Sequence, residues 1–242
     1  MKYLFFSALL ALSLSSFAQV GIGTPTPNAK AALDITSTTK GLLPPRMDST
    51  ARNAIISPPA GLIIYNTTIN AFQCYNGTAW YSTVQFIGEN YGGGIVFYVY
   101  DNGQHGLISA TADQSTGIQW YNGTYRFTGT TGDGLNAGAM NTALIVATQM
   151  SDNQSGNFAA KVCADYSVTV GGITYGDWYL PSLYELNLLY LQKAVVGGFT
   201  NSNYWSSSEI NVNFAWYQNI ASGFQNGFNK NVTNYVRAVR AF

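Results

Sequence analysis

The sequence predicts an α+β fold with an antiparallel, β-rich C-terminal part and about three helices. Three observations carry this. From Ile87 onward, short alternating runs are punctuated by Asn-Gly pairs. A middle stretch then carries apolar residues at helical spacing on Ala-rich faces. After Gly197-Gly198 the chain returns to short strands. Ahead of all this, Gln19–Phe86 reads as a small, mostly β and irregular module.

The first residues carry an export pattern. Lys2 forms a short positive region, Tyr3–Leu14 an apolar run too short to span a bilayer, and Ser16-Phe17-Ala18 a small-residue cleavage pattern. Residues 1–18 are therefore expected to be a signal peptide, with Gln19 as the mature N-terminus. No later segment reaches about 18 apolar residues, so the mature chain is expected to have no membrane span. The expected localisation is secreted or at the cell surface.

In the 19–86 module, "VGIGTPTPNAKAALDITSTTKGLLPPRM" is broken by Gly and Pro into short extended runs. Asp48 or Ser49 offers an N-cap for one short helix over "DSTARNAII". "GLIIYNTTINAFQCYNGTAWY" then alternates toward Asn76-Gly77, a hairpin signal. In the 87–242 part, "GGGIVFYVYDNGQHGLISA" predicts two strands about Asn102-Gly103, and "IQWYNGTYRF" repeats the device at Asn122-Gly123. "AGAMNTALIVATQM", "NFAAKVCADY" and "YLPSLYELNLLYLQK" predict the three helices. Strands are expected over Tyr204–Ile210, Phe214–Ile220 and Tyr235–Phe242, with a turn at Asn226-Gly227.

Composition limits the function. The chain has 242 residues and no net charge, and only 9% of residues are charged, which excludes the basic excess that nucleic-acid binding needs. Residues 87–242 hold six basic side chains (Arg126, Lys161, Lys193, Lys230, Arg237 and Arg240) against nine acids, a net of −3. The two cysteines, Cys74 and Cys163, form no CxxC or Cys/His cluster, which excludes a cysteine-based zinc site. A disulfide between them and two free thiols both remain open.

Candidate chemistry is sparse. Ser182-x-x-Glu185 before an apolar run is a capping box, and a nucleophilic reading of Ser182 lacks a nearby histidine, a GxSxG elbow or an SxxK. His105 is the single histidine, and Asp101 is its one nearby acid. No catalytic residue is assigned, and no cofactor is expected. Glu209, Asn211 and Asn213 cluster oxygen donors of the kind calcium takes, the plain alternative being a polar loop after a strand. "NYVRAVRAF" puts Arg237 and Arg240 on opposite faces of a strand. At least one of them should be buried against a carboxylate, with Glu209, Glu185 and Asp177 the expected partners. Trp216, Tyr217 and Phe224, in the Asn-rich strands after Glu209, are the candidate ligand-binding aromatics.

Four blocks taken in order, "GGGIVFYVYDNGQHGLISA", "DWYLPSLYEL", "YWSSSE" and "NYVRAVRAF", resemble the C-terminal domain of the Legionella collagen-like adhesin. That family was formerly a domain of unknown function and is common in exported bacterial proteins. The "WYLPSLYEL" and "WSSSE" pair is also similar to Fibrobacter major-paralogue domains and, more distantly, to formylglycine-generating enzymes. This implies a C-type-lectin-like core over 87–242. Relatives often carry a cysteine where this chain has Ala238, which implies that Cys163 lacks a partner. The calcium motif of sugar-binding lectins and the catalytic cysteines of the enzymes have no counterpart here. The segment 19–86, with "GIGT", "ALDI", "KGLLPPRM", "GLIIYNTT" and "YNGTAW", resembles a connector of exported, tail-fibre-like proteins, which implies a stalk, sometimes trimeric.

The expected function is therefore a non-enzymatic recognition or adhesion protein whose head binds an extracellular glycan or protein. A structural subunit of a surface fibre or envelope assembly is the second reading, and an uncharacterised enzyme the third. The collagen-like adhesin binds glycosaminoglycans, but the acidic balance of the head favours a neutral glycan.

Overall fold

The structure, a computed structural model, describes residues 19–242; the expected signal peptide lies outside them. The chain divides into two compact units at Pro45/Arg46. In the first, β1 (Val20–Ile22) pairs in parallel with β2 (Leu33–Ile35). The loop between them is tied by Asn28 N–H donating to the Asp34 carboxylate at 2.8 Å. Gly23 is required at φ +75°, where a side chain would run into the Thr36 carbonyl.

The second unit opens with β3 (Arg46–Met47) and helix α1 (Ser49–Asn53). Asp48 caps α1, its carboxylate accepting from Ala51 N–H at 2.7 Å. β4 (Ile63–Asn66), β5 (Ala71–Tyr75) and β6 (Trp80–Ser82) complete a four-stranded sheet in the order β3-β4-β5-β6. The Asn76-Gly77 hairpin forms as predicted. The Asn76 side chain accepts from Thr78 and Ala79 N–H, and Gly77 takes φ +102°.

A second four-stranded sheet contains β7 (Asn90–Tyr91), β8 (Gly94–Tyr100), β9 (His105–Ser109) and, at the chain end, β17 (Val239–Ala241). A five-stranded sheet has the order β10 (Ser115–Gln119), β16 (Thr233–Val236), β13 (Asn203–Glu209), β14 (Phe214–Asn219), β15 (Gln225–Asn229). Its pairs are antiparallel except β13 with β16. The helices are α2 (Ala137–Asp152), α3 (Ala159–Ala164), α4 (Leu183–Leu191) and a last turn, α5 (Lys193–Val196). β11 (Val168–Val170) and β12 (Ile173–Tyr175) form a small hairpin through Gly171-Gly172, both at positive φ. The architecture is α+β, with strands, helices and strands in the predicted order.

Two apolar clusters fill the interior. One joins Trp120, Ile145, Phe158, Cys163, Trp178, Trp205 and Ala238. The other joins Phe97, Leu107, Leu186, Leu189, Tyr204 and Val239. Both cysteines are free, and burial pushes the Cys163 thiol well up. Ala238 sits in the same cluster as Cys163, so no second thiol is offered there.

Two expected turns do not form. Asn122-Gly123 makes no hairpin. Asn122 is buried, and its amide donates to the carbonyls of Gln149 and Asn153, pinning an irregular loop to the end of α2. β10 pairs instead with β16, far along the chain. Asn226-Gly227 lies inside β15, with Gly227 directly opposite Trp216. A side chain there would meet Ile210 Cδ1 at 2.5 Å, so the glycine makes room for packing and does not reverse the chain.

Ser182 begins α4 with both halves of a capping box. Its hydroxyl accepts from Glu185 N–H at 3.2 Å, and the Glu185 carboxylate accepts from Ser182 N–H at 2.9 Å. The same hydroxyl donates to the Gly134 carbonyl at 2.9 Å. Gly138 of α2 packs here, where a Cβ would lie 2.7 Å from Ser182 N. Replacing Ser182 by Ala should lower unfolding free energy by about 1–2 kcal/mol. Urea unfolding at constant m-value checks this, and an unchanged midpoint would count against a capping role.

Candidate functional site

The site is built on β13, whose sequence Ser206-Ser207-Ser208-Glu209 is buried despite its polarity. Each residue holds a neighbour. The Ser206 hydroxyl donates to the Trp216 carbonyl at 2.9 Å. Ser207 N–H donates to the Pro181 carbonyl. The Ser208 hydroxyl donates to the Gly132 carbonyl at 3.1 Å and accepts from Leu183 N–H. The Glu209 carboxylate accepts from the N–H groups of Thr128 and Gly129, both at 2.9 Å, and from Lys230 Nζ. Lys230 also donates to the Arg126 carbonyl and lies 4.5 Å from the Trp120 ring centroid. Burial lowers the Lys230 pKa, and the Glu209 charge opposes that shift.

Glu209 therefore does not converge with Asn211 and Asn213 into one oxygen cluster. The Asn211 side-chain oxygen accepts from the N–H groups of Asn213 and Phe214, an Asx-type turn between β13 and β14. Among the described residues, no group of three or more His, Cys, Asp or Glu side chains could hold a metal ion.

The pairing register sorts the three candidate aromatics. Phe214, Trp216 and Gln218 share one face of β14 with Asn229, Gly227 and Gln225 of β15. Tyr217 points the other way. It is only 7% exposed and stacks on Phe228 with ring centroids 4.4 Å apart, so it is a core residue and not an available ligand contact. Trp216 is half-buried on the outer face. Phe224 is 57% exposed, in the turn that leads into β15. Phe214, not singled out from the sequence, is exposed beside Trp216. The Tyr125 hydroxyl donates to the Asn229 side chain at 2.5 Å, and the Tyr125 ring lies 4.7 Å from that of Tyr121. Towards Gln218, which is fully buried and donates to the Asn187 side chain and the Gly223 carbonyl, this face is covered; its Phe214–Trp216 end is the part that presents aromatic rings, beside Asn229.

The charged residues are used internally. Arg237 is buried and pairs with Asp113 at 2.7 Å, not with Glu209 or Glu185. Its guanidinium also donates to the carbonyls of Ala110 and Gly198 and lies over Phe199. The reason is the register: Val239 pairs with Ser109, which sets Arg237 beside the loop that holds Asp113. Arg240 pairs with the expected Asp177, at 2.5 Å, and covers Tyr175. Glu185 serves the capping box and accepts from Tyr179 hydroxyl and Asn136 N–H. Burial raises its pKa, against the pull of these donors. Arg126 pairs with Asp152 and Lys161 with Asp165. Lys193 donates to the carbonyls of Ile220 and Ala221. His105, with Asp101 4.0 Å away, is exposed at the start of β9, and the Ser182 hydroxyl donates instead to the Gly134 carbonyl.

Residues 109–240 match the Lcl C-terminal domain, over half of the chain, and the chain belongs to that family. Residues 21–138 match the phage tail like trimerisation region. No curated protein matches the chain. Both matched families are of adhesin or fibre type and neither is an enzyme family, which makes this an adhesin-like, surface-fibre-like protein. No helix among the described residues is long and apolar enough to cross a membrane.

The Glu209–Lys230 pair gives a stability test. Lys230→Met should cost about 3–5 kcal/mol, because Glu209 is left charged and dry. Glu209→Gln combined with Lys230→Met should be less destabilised than the sum of the single changes. Denaturant melts of the four proteins decide, and strict additivity would show that the two groups do not act as a pair.

Proposed function

We propose that the head, residues 87–242, binds a neutral glycan through the outer face of β14 and β15, and that the 19–86 segment carries it as a homotrimeric connector. One observation supports the neutral ligand above others. All six Lys and Arg side chains of the head are engaged, five with a carboxylate and Lys193 with two backbone carbonyls. A polyanion is held by clustered, available cations whose counterions are released on binding. The outer face offers the chemistry a sugar uses: the Trp216 and Phe214 rings for its apolar faces, and the Gln225 and Asn229 amides for its hydroxyls. Export and a C-type-lectin-like core, both implied by the N-terminal pattern and the motif resemblance, suit this reading. The trimer rests on the match to a trimerisation region.

The second reading, a structural fibre subunit, draws on the exposed apolar side chains Ile210, Val212 and Phe224 around the same strands. Glycan arrays and heparin chromatography of residues 19–242 separate the possibilities. The protein should bind neutral glycans and elute from heparin at or below physiological salt. Trp216→Ala should weaken glycan binding about tenfold, roughly 1.4 kcal/mol, in a protein that circular dichroism shows to be folded at the assay temperature. Retention on heparin well above physiological salt would refute the neutral-ligand reading. Absence of any glycan binding, with self-association lost on changing Phe224, would favour the fibre subunit.

A further inference from the structure

The connector carries an apolar surface that the head's function does not use. Residues 53–88 contain no charged side chain. Within them, β4, β5 and β6 alternate cleanly. Ile64, Asn66, Ala71 and Gln73 are buried. The opposite face carries Ile63, Tyr65, Phe72, Cys74 and Tyr81. The register lines them up, Ile63 beside Cys74 beside Tyr81, and Tyr65 beside Phe72. Ile63 is 52% exposed, Phe72 44% and Tyr81 59%, with Tyr65 and Cys74 half-buried. An antiparallel sheet that faces water normally puts polar residues on its outer side. Here the outer side is apolar and aromatic, the composition of an interface core.

We infer that this face is the contact between copies of the chain, with Phe72 and Tyr81 as its anchors and Cys74 enclosed between the copies. The inference rests on the homotrimer proposed above and assigns it a surface. A second copy is the occupant because the match to a trimerisation region, residues 21–138, spans the whole sheet. The lack of charge on these strands also removes any electrostatic cue for an unlike partner, whereas identical apolar faces are complementary to one another in chemistry. Five side chains supply only part of the roughly 1,000 Å² or more that a specific interface buries.

Two measurements on residues 19–242 test this. The first is mass in solution. The native chain should be trimeric, and the Phe72→Lys/Tyr81→Lys double variant monomeric, because each lysine would bury an unpaired charge. The second uses the native thiol and needs no destabilising change. Cys163 is fully buried, so Cys74 is the thiol open to a maleimide in the folded chain. Cys74 should react about tenfold or more slowly in the native assembly than in the double variant, since thiol modification requires access. Circular dichroism checks that the variant is folded. A monomeric native chain would overturn the trimer and the surface together. A native trimer whose Cys74 labels as fast as a free surface thiol, or a folded double variant that stays trimeric, would overturn only the surface assignment.

Discussion

The head is organised around one dry ion pair. Glu209 ends β13, Lys230 follows β15, and both side chains are without solvent exposure. Between them they satisfy backbone groups of a third segment, the irregular loop through Arg126, Thr128 and Gly129. That loop has no strand or helix to absorb its own polar groups, and buried backbone N–H and C=O must be paired. A carboxylate that accepts from two N–H groups and an ammonium that donates to a carbonyl do this where apolar side chains could not. The pair is therefore less a source of net stability than a fastening for a buried loop, since two apolar residues of similar size would leave those backbone groups unpaired. The loop in turn places Tyr125 against Asn229 and Asp133 against the start of α4, where the Asp133 carboxylate accepts from Tyr184 N–H at 2.6 Å.

This internal use of charge sets the character of the surface. Arg237 crosses between the end of β16 and the loop after β9, and Arg240 holds β17 to Asp177. Each draws an acid out of circulation as well as a cation. What faces solvent on β14 and β15 is then aromatic and amide, with water competing for the amides only one hydrogen bond at a time. Such a face suits an uncharged, hydroxyl-rich ligand. The Glu185 and Glu209 carboxylates do not join this face, since both accept from backbone N–H groups in the interior.

How far the sequence could be read depended on whether a signal was local. The Ser182/Glu185 box, the Asp48 cap and the Asn76-Gly77 hairpin are decided within a few residues, and each has the partner its pattern demands. Asn122-Gly123 and Asn226-Gly227 carry the same dipeptide but are decided elsewhere, by the end of α2 and by Ile210. The Gly171-Gly172 hairpin was legible in principle: two glycines between "VTV" and "ITY" match a two-residue turn. The Asp113 partner of Arg237 was not, because it depends on the pairing of β17 with β9 across the chain. At the candidate site, alternation alone would have separated Trp216 from Tyr217. Which of the two faced the core required the sheet order.

The two surfaces also explain one another energetically. On the proposed reading, an aromatic-amide face that takes a neutral sugar has no charge attraction to add, so a single copy would bind weakly. In the proposed homotrimer the second and third contacts would be intramolecular, and avidity can rise by about 10²–10⁴ without a new contact. Such a proposed assembly would need an apolar surface in the chain. The division of chemistry matches that requirement. Strands β4–β6 lie in a charge-free stretch, while the buried pairs Glu209–Lys230 and Arg237–Asp113 lie among the later strands. The arrangement also keeps the two tasks from interfering, since an apolar patch on β14–β15 as large as that on β4–β6 would compete for assembly with the face meant for ligand.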